Sequence, residues 1–270
     1  MDQRFKVITP VYNAQEWIGK CIESVKSQTH ENFIQVIVDD CSTDTTVIEA
    51  KSAIGDDPRF VLIERKENTG TLHGHVLAGE HDYRKDDIFV HLDGDDWFSD
   101  GNVFERLNGI YEDEDIWCTY GNYKTTDGEP SVCVPIKQNY DKALALLLSP
   151  PSLNNDAARR AMAHARATSN IRLYLCIGWI FSQVRSFRAK LWKGINDKDL
   201  RASDGSYLAV ADVAVFIPVL EMAGLDRVKF VPEVQMIYNR ETPINDDKVN
   251  RKRVIAHAHE LANKEPKQQW

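Results

Sequence analysis

The sequence lacks the features of a disulfide-rich or membrane-spanning protein. Its five cysteines are an odd number without any Cys-x-x-Cys spacing, so no disulfide framework is indicated. The longest apolar run, residues 143–148, is far shorter than the ~20 residues that cross a bilayer. The first residues also lack the apolar segment of a signal peptide. We therefore expect a cytoplasmic protein with reduced thiols and no membrane span.

Positive charge is also scarce. The chain has 33 lysines and arginines against 41 aspartates and glutamates, a formal net charge of −8. Proteins that grip nucleic acid neutralise many phosphates with clustered basic side chains, and this sequence has no basic stripe. We expect no nucleic-acid partner. A single phosphorylated small molecule can still bind if a divalent cation stands between its phosphates and the protein's carboxylates.

The first 125 residues alternate predicted strands with predicted helices. Runs of β-branched and apolar residues predict strands at residues 5–11, 33–38, 59–64 and 87–92. Apolar spacing and turn residues predict helices at residues 14–29, after 42–45, and at 71–79. This alternation indicates an α/β fold with a mostly parallel sheet, whose ligand crevice lies at the carboxyl ends of the strands.

The second half is less regular. We predict a helix at residues 102–111, a strand at 116–120 and a helix at about 209–222. Two short edge strands are expected at residues 230–231 and 234–238, because Pro232 between them cannot donate to a sheet. The tail from Asp247 is polar and predicted to be helical, and it would suit a contact in a homo-oligomer.

Acidic clusters follow two of the predicted parallel strands. Asp39 and Asp40 end the second strand, and Asp93-Gly-Asp95-Asp96 ends the fourth. Crowded carboxylates raise each other's pKa and are costly unless a cation neutralises them. An isolated Asp-Gly-Asp-Asp is also typical of a solvated turn. The strand before it and the second acidic strand end favour a cation site instead.

Several segments resemble the family-2 glycosyltransferases of the GT-A fold. In the N-terminal half these are residues 7–13 (VITPVYN), 28–29, 36–45 (VIVDDCSTDT) and 92–97 (LDGDDW). Looser matches follow at residues 186–192, 211–212, 220–224 and 231–239. The resemblance implies an inverting, metal-dependent hexosyltransferase with Mn²⁺ or Mg²⁺ as cofactor. Its donor would be a nucleotide sugar and its acceptor a hydroxyl of a glycan or another molecule.

The resemblance also implies how the chain is organised. The expected fold is a Rossmann-like, mostly parallel central sheet flanked by helices, with a mainly helical C-terminal region on the acceptor side. Residues 1–125 would form the nucleotide-sugar-binding half and residues 126–240 the acceptor side with the catalytic base. Residues 241–270 would form the polar helical tail.

The base pocket is implied by position. Pro10, Val11 and Tyr12 would line it, with the Tyr12 ring against the nucleobase, although a tyrosine near a strand end is a core residue about as often. Asp40 would accept a hydrogen bond from the base imide, which favours uridine weakly, whereas Asp39 would be structural.

The diphosphate and metal contacts follow in the same way. Asp93 would reach the ribose, Gly94 would allow the diphosphate to approach, and Asp95 would ligate the metal. Asp96 would support this loop. Many relatives carry an arginine facing the diphosphate after the Asn-x-Gly turn, where this chain has His75, which would replace that cation only in part.

Asp212 is the implied general base. Inverting transfer needs a carboxylate that takes the acceptor's hydroxyl proton, and we expect Asp212 to face the open crevice. An acid here is also typical of a helix start, where it opposes the helix dipole. Trp179 and Arg185 are candidates for the acceptor side, although a tryptophan near Ile177 and Ile180 is more often a core residue.

Two other functions stay open. A nucleotidyltransferase acting on a sugar phosphate would also bind a metal through aspartates, but residues 7–20 lack the glycine- and lysine-rich phosphate loop that such enzymes use. A catalytically inactive nucleotide-sugar-binding module is the other alternative. The missing arginine, and the missing histidine after Tyr238 that relatives often have, keep it open.

Overall fold

A computed structural model describes residues 2–129, 131, 133–136, 180–243 and 250–270. Eight strands lie in these segments: β1 (Phe5–Val11), β2 (Phe33–Asp39), β3 (Phe60–Glu64), β4 (Ile88–His91), β5 (Trp97–Phe98), β6 (Cys118–Thr125), β7 (Ser186–Arg188) and β8 (Val228–Tyr238). They form one mixed sheet in the order β3-β2-β1-β4-β7-β6-β8-β5.

Helices cover both faces of this sheet. They are α1 (Ile18–Lys26), α2 (Thr46–Ile54), α3 (Thr71–Glu80), α4 (Val103–Tyr111), α5 (Asp197–Leu200), α6 (Ala211–Ala223) and α7 (Arg251–Ala262), with 3-10 turns at Ala189–Gly194 and Leu225–Arg227. In the described part of the chain, every helix is too short or too polar to cross a bilayer.

The four strands predicted in the first half form the parallel part of the sheet. β1 pairs in parallel with both β2 and β4, and β2 pairs in parallel with β3. Val11 lies opposite Asp39 and Ile8 lies opposite His91 in this register. The carboxyl ends of β1, β2 and β4 therefore meet at one edge, which brings the two acidic segments to the same crevice, as predicted.

The prediction of two edge strands around Pro232 was wrong. β8 is a continuous strand that lies between β6 and β5. In its pairing with β6, Gly121 lies opposite Val231 and Asn122 opposite Val234, so residues 232–233 are skipped by an irregularity in the register. A proline is tolerated there because its missing N–H is not needed for a ladder hydrogen bond.

The core has two layers because the strands alternate their side chains. Val7 of β1 joins the layer under α1, whereas Ile8 joins the layer under α6. Helix α1 buries Ile18, Cys21, Ile22 and Val25, the spacing of one helical face. Helix α6 is apolar around almost its whole circumference and is buried, so its first turn is held firmly against the sheet.

Hydrogen bonds join the loop after β1 to the loop after β2. The Asn13 carboxamide accepts from the Thr43 N–H at 2.7 Å, and the Asn13 N–H donates to the Ser42 hydroxyl at 2.8 Å. The buried Ala14 N–H donates to the Thr46 hydroxyl at 2.8 Å. These bonds fix the backbone directly after Tyr12, which is 37% exposed.

We predict that Thr46→Val destabilises the protein by about 1–3 kcal/mol, because the buried Ala14 N–H loses its acceptor without a change in side-chain shape. Urea unfolding measures the change. Thr45→Val is the matched control, because the Thr45 hydroxyl donates to the Gln15 side chain at the exposed surface. This change should lower the free energy of unfolding by less than about 0.5 kcal/mol. Equal effects of the two changes would contradict this account of the loops.

Candidate active site

The acidic segment after β4, residues 93–96, is called the acid loop here. Its backbone lies directly against the end of β1, where the Gly94 N–H donates to the Pro10 carbonyl at 3.1 Å. A Cβ at Gly94 would lie 2.6 Å from the Val11 Cβ and Cγ2 atoms and 3.3 Å from the Pro10 oxygen. Only glycine fits this close approach, which explains the residue between the two aspartates.

Two carboxylates of the acid loop are held by neutral donors from the end of β8. The Asp95 Oδ2 atom accepts from the Thr242 hydroxyl at 2.8 Å, and the fully buried Asp96 accepts from the Asn239 N–H at 2.8 Å. The Asp96 Oδ2 atom is buried and has no hydrogen-bond partner among the described residues. The sequence analysis did not identify Asn239 and Thr242 as site residues. The only sequence feature that could have indicated them is the run of polar residues directly after β8.

These environments shift the pKa of both carboxyls upward. Burial raises the pKa of Asp95, and the Thr242 hydrogen bond opposes it. Burial also raises the pKa of Asp96 well above its usual range, the charges of Asp95 and Asp93 raise it further, and the Asn239 N–H and Arg185 act against them. The ionised forms of both carboxyls are therefore disfavoured in the loop, and its own hydrogen bonds do not offset that cost.

The acid loop fits a cation that takes most of its ligands from a diphosphate and water. No group of three or more His, Cys, Asp or Glu side chains converges on a metal position in the described segments. Mg²⁺ sites commonly use one or two carboxylates together with substrate phosphates, and an all-protein cage is not needed. Asp95 is the residue that would provide such a carboxylate, and the role of Asp93 toward the ribose stays a prediction.

Asp40, on the opposite side of the β1 end, is already well bonded. It is buried, accepts from the Thr69 N–H at 3.1 Å and the Gly70 N–H at 2.7 Å, and forms an ion pair with Arg65. A base imide would have to share the remaining lone pairs of this carboxylate, so its role toward uridine stays a prediction. Sequence reasoning missed Arg65, which directly follows β3 as the acidic pair follows β2.

Asp39 turns toward its own loop. Its Oδ2 atom accepts from the Ser42 N–H at 3.0 Å, in keeping with a structural residue. Pro10 and Val11 are buried at the end of β1, next to the exposed Tyr12. The position of these three residues beside the acid loop is compatible with a base pocket, and their contacts with a nucleotide stay predictions.

His75 does not supply the positive charge expected of it. The ring is 1% exposed, its Nδ1 atom lies 3.1 Å from the Thr71 carbonyl, and it packs against His91 with ring centroids 4.7 Å apart. Burial lowers the pKa of His75 to about 4, so the imidazole is neutral at pH 7. The expectation of a partial arginine replacement is therefore corrected, because a ring enclosed in this way cannot remain charged.

Asp212 lies at the start of α6 and is partly open to solvent. Its side chain is 39% exposed, and its Oδ1 atom accepts from the Val213 N–H at 2.8 Å. Its Oδ2 atom accepts from Nη1 of the buried Arg185 at 2.7 Å. The implied general base and one of the two acceptor-side candidates thus meet in one ion pair. Trp179, the other candidate, lies outside the described residues.

The family follows from comparison with known sequences. Residues 6–165, more than half of the chain, match the family described as glycosyl transferase family 2. The chain belongs to this family. The resemblance seen in the motifs is therefore confirmed, and the acid loop, Asp40 and the end of β1 all lie within the matched residues of this glycosyltransferase.

Curated relatives of this glycosyltransferase come from several bacteria. A putative teichuronic acid biosynthesis glycosyltransferase, TuaG of Bacillus subtilis, is 31% identical over 144 residues, which cover 51% of this chain and 56% of TuaG. An uncharacterized glycosyltransferase of Haemophilus influenzae is 28% identical over 123 residues, 46% of this chain and 48% of the relative. The chain spans about half the length of these relatives.

Solved structures share the fold. TarS of S. aureus, in complex with UDP-GlcNAc, has a TM-score of 0.56 at 15% identity. The match covers 89% of this chain and 59% of the TarS chain. Glucosyl-3-phosphoglycerate synthase of Mycobacterium tuberculosis, in complex with Mn²⁺, UDP and glucosyl-3-phosphoglycerate, has a TM-score of 0.58 at 16% identity. This match covers 98% of this chain and 81% of the synthase chain. These similarities confirm the predicted GT-A fold.

We predict that Gly94→Ala destabilises the glycosyltransferase by about 1–3 kcal/mol or more, because the new methyl group overlaps Val11 and forces the acid loop from β1. Thermal unfolding measures the loss. Gly109→Ala, inside α4 with nothing within 4 Å of its Cβ, is the control and should be neutral or stabilise by about 0.5–1 kcal/mol. A Gly94→Ala protein as stable as the parent would refute the close approach.

Proposed function

We propose that this glycosyltransferase moves a hexosyl group from a nucleoside diphosphate sugar, with a UDP-sugar favoured, to a hydroxyl of a glycan acceptor. Transfer inverts the anomeric centre, with Asp212 as general base and Mn²⁺ or Mg²⁺ at the acid loop. The observation that carries this proposal is the presence, at the same sheet edge, of a partly exposed carboxylate, Asp212, and a separate carboxylate cluster in which Asp96 is buried and Asp93 and Asp95 are half-buried. A base and a cation site are the two elements that inverting transfer requires.

The chemistry assigned to Asp212 is a single proton transfer. The acceptor oxygen attacks the anomeric carbon, the bond from that carbon to the diphosphate oxygen breaks, and the hydroxyl proton passes to Asp212. Both Asp212 oxygens keep lone pairs for that proton, since each accepts one described hydrogen bond. When bound, the divalent cation would supply electrostatic stabilisation of the departing diphosphate.

Support for the donor class comes from both motif and fold. A hydrogen bond from a base imide to Asp40 would favour uridine weakly, and TarS and glucosyl-3-phosphoglycerate synthase were solved with UDP-GlcNAc and UDP. A mannosyltransferase of Pyrobaculum calidifontis with a TM-score of 0.59 was solved with GDP-Man and Mn²⁺. Because one fold holds either base, a panel of donors with both bases is needed to test the preference for uridine.

We predict that nucleotide binding depends on a divalent cation, because without it diphosphate faces carboxylates. Thermal shift with UDP, GDP, UDP-glucose, UDP-GlcNAc and GDP-mannose, with MnCl₂ or with EDTA, tests this. A nucleotide at ~100 times its dissociation constant adds about 2.7 kcal/mol of stability. That gain should vanish in EDTA and in Asp95→Asn.

Asp115→Asn, on the exposed loop before β6, is the matched control for Asp95→Asn and should keep the gain. Undiminished binding in EDTA would refute the cation at the acid loop. No stabilisation by any of the five nucleotides with Mn²⁺ would refute the proposed donor class.

We predict that Asp212→Asn lowers UDP release from the preferred UDP-sugar by ~10²–10⁴-fold, because the amide cannot accept the nucleophile's proton. UDP affinity should change little. The melting temperature should also fall, because Asp212 compensates the charge of the buried Arg185. Replacing an acid that is fully solvated and unpaired would not have this effect. Assays are therefore run below the melting temperature of the variant.

Glu49→Gln is the control for the helix-dipole explanation, because Glu49 is an exposed acid in the first turn of α2. It should leave turnover unchanged. Full turnover in Asp212→Asn would exclude Asp212 as the base, and equal loss of turnover and of UDP affinity would indicate a purely structural residue.

A further inference from the structure

Arg185 is a fully enclosed cation beside the proposed base. It is 1% exposed and directly precedes β7. Its carbonyl accepts from the His91 N–H at 3.0 Å, so its backbone is anchored to the last residue of β4, two positions before the acid loop. Its side chain reaches across to the first turn of α6, where Nη1 bonds to Asp212. One residue therefore connects the sheet edge with the helix that carries the base.

The charge of Arg185 depends on Asp212 for compensation. The Arg185 Nε atom is buried and has no hydrogen-bond partner among the described residues. The neighbouring imidazoles cannot supply a counter-charge, because an imidazole is either neutral or positive; burial and the Arg185 charge lower the pKa of His75 to about 4 and that of His91 well below its usual range. A buried charge that loses its partner is strongly unfavourable. The Asp212 carboxylate, in direct contact with Nη1, is therefore the counter-charge that this buried guanidinium relies on.

We propose that Arg185 is the positioning residue for Asp212, holding it as an oriented carboxylate at the mouth of the crevice. This inference rests on the proposed function, in which Asp212 is the base. Two bonds orient the carboxylate: Arg185 holds Oδ2 and the Val213 N–H holds Oδ1. Since Arg185 is enclosed, it acts through Asp212 and does not touch the acceptor.

Arg185 also connects the base to the acid loop electrostatically. Its charge lowers the pKa of Asp96, against the larger effects of burial and of the neighbouring aspartates. The same guanidinium thus lies within electrostatic reach of the proposed cation site and in hydrogen-bond contact with the base. This placement raises one alternative, that Arg185 contacts the diphosphate of the donor, and the alternative predicts a loss of UDP affinity.

The test combines Arg185→Met, Arg185→Lys and Asp212→Asn in a double-mutant cycle. Methionine keeps an extended side chain but removes the charge and the donors, and lysine restores the charge without the planar fork. Three quantities are measured: UDP release from UDP-glucose or UDP-GlcNAc with MnCl₂, UDP affinity by calorimetry, and melting temperature. Arg188→Met is the matched control, because Arg188 lies three residues further along, at the end of β7, and donates to the carbonyls of Ile116, Tyr111 and Asp113.

We expect Arg185→Met to lower kcat by about 10–100-fold, the effect of a misplaced catalytic group, with UDP affinity unchanged. Arg185→Lys should recover part of that loss. In the Asp212→Asn background, Arg185→Met should cost almost no further turnover and should raise the melting temperature, because the uncompensated charge is removed. Arg188→Met should lower the melting temperature while kcat stays the same.

Each contrary result has one meaning. A loss of UDP affinity that matches the loss of kcat would place Arg185 on the donor and overturn the inference. Equal losses of kcat from Arg185→Met in both backgrounds would reduce it to a structural residue. An active Arg185→Met beside an inactive Asp212→Asn would remove the inference and leave the proposed function intact. A fully active Asp212→Asn would remove the proposed base itself.

Discussion

The close contact between the acid loop and the end of β1 is the constraint on which the site depends. Because Gly94 has no Cβ, the backbone of the loop hydrogen-bonds to Pro10 and fills the space beside Val11. Asp95 and Asp96 are thereby carried into an enclosed position, where burial raises the pKa of both. The geometry of the proposed cation site thus results from a backbone approach that a larger residue than Gly94 would prevent.

The carboxylates at this edge of the sheet are compensated in different ways. Asp40 has the Arg65 guanidinium and two backbone N–H groups, and Asp212 has Arg185. Asp95 and Asp96 are instead bonded by neutral donors from the end of β8, which satisfy hydrogen bonds without cancelling charge. The acid loop is therefore the place where an external cation gains the most, since repulsion between its carboxylates is relieved only by positive charge.

Sequence patterns predicted the elements but not the partners. The parallel strands and the acidic strand ends were read correctly because they depend on local spacing, such as the apolar run that precedes Asp93. The bond from Asn239 to Asp96 joins residues 143 positions apart, and no local pattern encodes it. The expectation of a partly charged His75 was wrong for the same reason, because the charge of the ring depends on how deeply the surrounding residues bury it. Continuity of β8 through Pro232 depended on a register shift that only the partner strand reveals.

Two arginines near the proposed donor site are already engaged with carboxylates. Arg65 pairs with Asp40, and Arg185 pairs with Asp212. Freeing either guanidinium for a diphosphate would leave Asp40 or Asp212 without its counter-charge, which costs much of what the new contact would gain. We therefore expect a bound diphosphate to leave both ion pairs intact.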